Sequence, residues 1–222
     1  MRLRFLLVLM LMLPVVALLA QDAKGAEDKE AAYTRTITTR AAKIVATLGI
    51  TDSTCANRVT RTIADQYRNL NTIHTSRDEA VKAAKAKGLA KESPEIKKIE
   101  EKALTRQNKL HKQYIKKLSK QLSEEQVVKV KDGMTFGVVP ITYKGYQDMI
   151  PTLTEAQKAQ ILAWLTEARE HAMDAESSEK KHWWFGKYKG RINNYLSAAG
   201  YDLKKEGDEW EKRRKAAAVR VQ

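Results

Sequence analysis

EKKHWWFGKYKGRINNYLSAAGYD, Glu179–Asp202, decides the fold class of this chain. Trp184, Tyr188, Ile192, Tyr195 and Ala199 recur at three- and four-residue steps, which puts them on one face of an α-helix. Gly200 follows as a natural C-terminal stop, and Asp202 can cap a last helix carrying Leu203 and Trp210. The stretch also crowds Trp183, Trp184, Phe185 and Tyr188 beside Lys180, Lys181, Lys187, Lys189 and Arg191, in a chain with only 7% aromatics. Those rings are either the main core of a small helical domain or, in part, a platform for a ligand.

The same periodicity extends upstream. Tyr33, Ile37, Ala41, Ile44, Val45 and Leu48 form an amphipathic stripe that Gly49 stops. Asp52 can cap the next helix, striped by Cys55, Val59, Ile63, Tyr67, Leu70 and Ile73, so the two should pair as an antiparallel hairpin. Cys55 reads as a small core residue. Ala80–Lys91, broken by Gly88, reads as a frayed helix or a mobile connection. Ser93-Pro94-Glu95 then opens a helix with Ser at the cap and Pro in the first turn; its stripe is Ile96, Ile99, Ala103, Leu110, Tyr114 and Leu118.

Two capping boxes follow, Ser123-Glu124-Glu125-Gln126 and Thr154-Glu155-Ala156-Gln157. The first should start a short helix ending near Gly133, the second a helix through Ile161, Leu162, Leu165, Ala168 and Ala172. Between them Gly137, Pro140 and Gly145 punctuate an apolar run, which predicts an irregular loop near 133–147. The expected fold is all-α: a single-domain helical bundle of six or seven helices over residues 27–218.

Residues 1–20, MRLRFLLVLMLMLPVVALLA, pair Arg2 and Arg4 with an uncharged apolar run that ends in a small residue, the pattern of a secretory signal peptide cleaved between 20 and 26. One cysteine allows no internal disulfide, and with no Asn-x-Ser/Thr sequon this favours a bacterial periplasm, or secretion from a bacterium, over a eukaryotic route. The net charge is +14, and export argues against nucleic acid as the partner. Anionic envelope polymers, or an acidic or neutral glycan, are expected instead.

Sugar binding needs a flat aromatic face with polar groups at its rim. Trp183 stands about 100° from the apolar stripe and is the predicted platform. His182, Lys187, Arg191 and Asn194 would rim it, the basic groups suiting a uronic acid, and Tyr143 and Tyr146 would form a further cleft wall. Gly186 and Gly190, one turn apart, should admit a close neighbour. Glu167 and Glu170 flank His171, with Asp174 a turn on; this group is either a solvated helix face or a metal or general-acid site. His74, His111, His171 and His182 are scattered and show no metal-ligand spacing, so no catalytic residue, metal or cofactor is assigned and an enzyme is not favoured.

Leu122–Gln126 (LSEEQ) and Leu153–Gln157 (LTEAQ) resemble the LTxxQ motif of periplasmic chaperones and stress sensors of the Spy and CpxP type. That resemblance implies helices of an all-α cradle, commonly a homodimer. His182–Asp202 (HWWFGKYKGRINNYLSAAGYD) resembles the signature of an exported bacterial family of unknown function, described as sugar-binding and often encoded near polysaccharide-degradation genes. This second resemblance implies a non-enzymatic binding protein in a glycan-use setting and supplies no catalytic residue.

Overall fold

Most of the helices start where a side chain can accept the first free backbone N–H groups. In the computed structural model, which describes residues 27–219, Asp52 accepts from the N–H groups of Thr54 and Cys55, Ser93 from Ile96, and Ser177 from Lys180. Both capping boxes close reciprocally, Ser123 with Gln126 and Thr154 with Gln157. The helices are α1 (27–46), α2 (Ser53–Ala86), α3 (Pro94–Ser119), α4 (Glu124–Met134), α5 (Val138–Met149), α6 (Glu155–Met173), α7 (Ser178–Ala198) and α8 (Leu203–Val219). Eight helices and no strand make the described residues all-α. The expected signal peptide lies outside them. No helix among them is long and apolar enough to cross a membrane.

Two expectations about the elements are corrected. The segment read as an irregular loop near 133–147 is mostly α5. Its punctuation sits where a helix tolerates it. Gly137 is the N-cap, at φ 66°, and Pro140 falls in the first turn, where the missing N–H has no partner to lose. Val139 and Tyr146, seven residues apart, then bury one face. The segment read as frayed, Ala80–Lys91, instead continues α2 to Ala86 before Gly88 turns the chain at φ 84°.

The apolar side chains form two clusters. The first joins α1 (Ile37, Ala41, Ile44) to α2 (Val59, Ile63), α3 (Tyr114, Leu118) and α4 (Val130, Met134). The second joins α5 (Val139, Tyr146) to α6 (Ile161, Leu165, Ala168) and α7 (Phe185, Ile192, Leu196). Helix α6 serves both, since its last residue, Met173, belongs to the first. Burying each large side chain of this kind contributes about 1.5–3 kcal/mol.

Helix α4 ends at Met134, beside Gly133 as expected, and a Cβ at Gly133 would stand 2.9 Å from Cγ1 of Ile44, so glycine is what lets α1 approach α4. Gly186 and Gly190 do not play that part, because a Cβ at either meets nothing within 4 Å.

The buried stripe of α7 is also rotated from the expected one. It runs Lys181, Phe185, Tyr188, Ile192 and Leu196, leaving Trp184 and Tyr195 half-buried at its edge and Ala199 exposed. The Lys181 ammonium reaches the end of α6 and donates to the carbonyls of Ala172 (2.8 Å) and Met173 (2.9 Å). A lysine can therefore occupy a core position by donating to the carbonyls at the C-terminus of α6. Burial pulls its pKa down to about 8.

Candidate functional site

Helix α3 is deeply buried only near its ends, through Ile96, Tyr114 and Leu118; Ile99, Ala103 and Leu110 between them are half-buried. Its middle therefore runs along an open cleft of about 680 Å³ facing the α6–α7 turn. Leu104, Gln107, Asn108 and His111 come from α3, Glu170 and Asp174 from the end of α6, and Lys180, Trp183 and Trp184 from the start of α7. A second groove of about 550 Å³, between α1, α2 and the α6–α7 turn, is lined chiefly by core side chains such as Ile37, Met134 and Met173. That groove also carries the exposed Phe136 with Arg40, Lys43 and Glu176, whereas the α3 cleft is the one that holds the exposed indole of Trp183.

Its aromatic wall is built in layers. The His171 ring stacks on Trp184 at 4.4 Å and 15°, and Trp184 meets Trp183 edge to face at 5.0 Å. The Lys187 ammonium stands 5.2 Å from the Trp184 ring and 5.7 Å from the Trp183 ring, within cation–π range. Trp184 is thus wedged in place, whereas Trp183 remains 54% exposed.

The floor is a network that ties four helices together. The His111 imidazole meets Asp174 Oδ2 through Nδ1 (2.8 Å) and Glu170 Oε2 through Nε2 (3.4 Å). Lys131 of α4 donates to both oxygens of Glu170, at 2.8 and 3.0 Å. Arg169, buried beside it, donates to Asp132 of α4 at 2.7 Å. His74 of α2 lies 2.8 Å from the backbone carbonyl of Asp174; as that oxygen only accepts, Nε2 carries the proton.

The carboxylates of Asp174 and Glu170, accepting from the ring, raise the His111 pKa to about 9, so the ring is an imidazolium at neutral pH. Burial pushes the Glu170 carboxyl up, but His111, Lys131 and Arg169 together outweigh it and hold the pKa down at about 2. Two buried atoms of the network stand outside this mutual satisfaction: Arg169 Nε and Asp174 Oδ1 have no hydrogen-bond partner, and the Asp174 side chain is 5% exposed.

The sequence-predicted residues disperse around this site. Trp183 lies on the cleft, but His182 turns away from it and stacks on Phe136 at 5.6 Å. Arg191 sits 4.5 Å over Trp164 and 3.7 Å from Glu167. With Lys187 and Asn194 it bounds a separate shallow depression about Gly190. The wall expected of Tyr143 and Tyr146 does not form. Tyr146 is 7% exposed and donates to Asn193 Oδ1 at 2.7 Å, and Tyr143 packs half-buried against the second cluster.

The group about His171 also divides. Glu167 stays exposed, while Glu170 and Asp174 join the floor, so a purely solvated face is excluded for those two. The helical repeat could place Glu170 and Asp174 together. Nothing in the sequence could place His111 with them, because it comes from 63 positions before Asp174. Among the described residues no group of three His, Cys, Asp or Glu side chains is arranged to hold a metal ion.

The model of one protein family, described as "Protein of unknown function (DUF3826)", matches residues 34–216, and the chain belongs to that family. No curated protein matches the chain.

Proposed function

We propose that this protein is an exported, non-enzymatic glycan-binding protein that takes a pyranose ring in the cleft between α3 and the α6–α7 turn. The observation that carries the reading is Trp183, a large indole left 54% exposed at a cleft with a hydrogen-bonding floor. An exposed indole covers the apolar face of a sugar while polar groups alongside it meet the hydroxyls. Gln107 and Asn108 on α3 offer both donors and acceptors there. Export to the periplasm rests on the pattern of residues 1–20.

Both nitrogens of His111 are engaged by carboxylates, which leaves the ring without a free proton acceptor for chemistry on a ligand. This supports binding over catalysis. The test is a titration of intrinsic tryptophan fluorescence with neutral, amino and uronic oligosaccharides, in the protein and in Trp183→Ala. Binding of at least one glycan is expected, weakened about tenfold in the variant, the loss of one ring stack of about 1.4 kcal/mol. No binding across the whole set overturns the reading.

Client cradling of the Spy type is the second reading. Exposed Val128, Phe136 and Ile141 favour it, and it predicts suppression of client aggregation without any glycan response.

A further inference from the structure

Resting on the glycan-binding reading for its ligand class, we infer that the groove between α1, α2 and the α6–α7 turn is a second sugar site, which takes a uronic acid by stacking its ring on Phe136 and pairing its carboxylate with Arg40 and Lys43. The cations that suggested a uronic acid beside Trp183 are committed: Lys187 lies against the indoles, and Arg191 over Trp164 beside Glu167. Arg40 and Lys43, one turn apart on α1, are exposed, and neither forms an ion pair or a side-chain hydrogen bond with the described residues. The other charged or titratable groups of the groove are engaged. Lys181 donates to the carbonyls of α6, His74 to that of Asp174, and Glu176 faces Arg77 at 3.7 Å.

Phe136 supplies the platform. It sits at φ 60°, where an L side chain is strained and glycine is usual, and it is 52% exposed. The turn that ends α4 uses that conformation to bond the N–H of Gly137 to the carbonyl of Asp132 at 2.8 Å, but it has no need of an aromatic ring. The His182 stack, at 5.6 Å and 13°, holds the ring in place while half of the residue stays open. A strained residue that keeps a large exposed ring points to use of that ring. Tyr33 and Tyr67, half-buried, continue the aromatic lining. The close approach of Gly133 to Ile44 sets the end of α4 against the turn of α1 that carries Lys43. Ile37, Met134 and Met173 on the floor are closed to solvent, so the sugar lies in the mouth, against the rings and the two cations. A guanidinium meets a carboxylate as a planar fork through charge-assisted bonds.

The experiment is calorimetric titration at pH 7 with β-1,4 tetramers of glucuronic acid, its methyl ester and glucose. The mature protein is compared with Trp183→Ala, Phe136→Ala, the pair Arg40→Gln/Lys43→Gln, and the pair Arg58→Gln/Arg61→Gln, which removes the same charge at the same spacing outside the groove. The glucuronic tetramer should still bind Trp183→Ala and should weaken about tenfold in Phe136→Ala and in the Arg40/Lys43 pair. The ester and the glucose tetramer should be indifferent to the Arg40/Lys43 pair. Arg40 and Lys43 are exposed, so that comparison stands even where Phe136→Ala does not fold. Loss of glucuronic binding in Trp183→Ala alone places the acid in the α3 cleft and overturns the second site. Equal weakening in the Arg58/Arg61 pair reduces it to diffuse surface charge, and an ester that binds as tightly as the acid removes the role of the carboxylate; either result overturns it. If other glycans bind and the glucuronic tetramer does not, this site fails while the α3 reading stands; if no glycan binds at all, both fall.

Discussion

Replacing His111 with Gln takes away the imidazolium that holds α3 to the end of α6. Asp174, 5% exposed, then loses the only hydrogen bond that either of its side-chain oxygens receives. Removing one partner of a buried ion pair costs about 3–5 kcal/mol, and a Gln amide that recovers one bond brings this to about 2–3 kcal/mol. For a domain of this size that is a fall in Tm of about 5–10 °C.

The pH dependence is the sharper test. The folded protein holds the His111 proton up to about 9, whereas an unfolded histidine releases it near 6.5. The folded state therefore binds more protons across that interval. The stabilisation is fully present below 6.5 and is lost as pH rises through 9. The whole shift corresponds to about 3 kcal/mol, which screening at a partly exposed ring reduces to about 1–2 kcal/mol. Lys181 works in the opposite sense, because burial lowers it from 10.5 to about 8 and stability recovers as pH rises between those values. Urea denaturation between pH 6.5 and 8 isolates the histidine. The protein should lose about 1 kcal/mol over that window, and His111→Gln should show a flat profile. A variant less than about 1 kcal/mol below the parent, with the same slope, would refute the claim that this clamp joins α3 to α6.

The glycines give a contrasting pair for urea denaturation. Gly133→Ala places a Cβ 2.9 Å from Ile44 and should cost about 1–3 kcal/mol, whereas Gly186→Ala, with open space around it, should stabilise by about 1 kcal/mol. Equal effects at the two sites would contradict the close approach of α1 and α4. Ser123→Ala and Thr154→Ala each remove one side of a closed capping box and should each cost about 1 kcal/mol; additive losses in the double variant are expected from well-separated helix starts.

Helix starts were legible in the sequence because caps are local. Asp52, Ser93, Ser123, Thr154 and Asp202 each accept from an N–H two or three residues on, within reach of a short pattern. Gly200 likewise ends α7, at φ 95° with the N–H of Tyr201 bonded to the carbonyl of Leu196. The first hairpin was legible for a related reason: its apolar residues repeat at the helical period and fill one cluster. The start of α5 was not, since Gly137 and Pro140 signal a break to a reader who cannot see that both stand at a helix beginning.

The apolar period assigned α7 its helix but misplaced its buried stripe. Lys181 is buried because the terminal carbonyls of α6 stand within reach of its ammonium, a condition set by the packing of two helices. The cleft belongs wholly to that level. Local sequence could make Trp183 a candidate by its angle on α7, and could bring Glu170 and Asp174 within one turn of each other. Only tertiary packing could deliver His111 from α3, turn His182 toward Phe136, and leave one oxygen of Asp174 without a donor. Backbone periodicity acts over three or four residues, so it fixes which residues share a helix face; what stands opposite that face depends on segments tens of positions away.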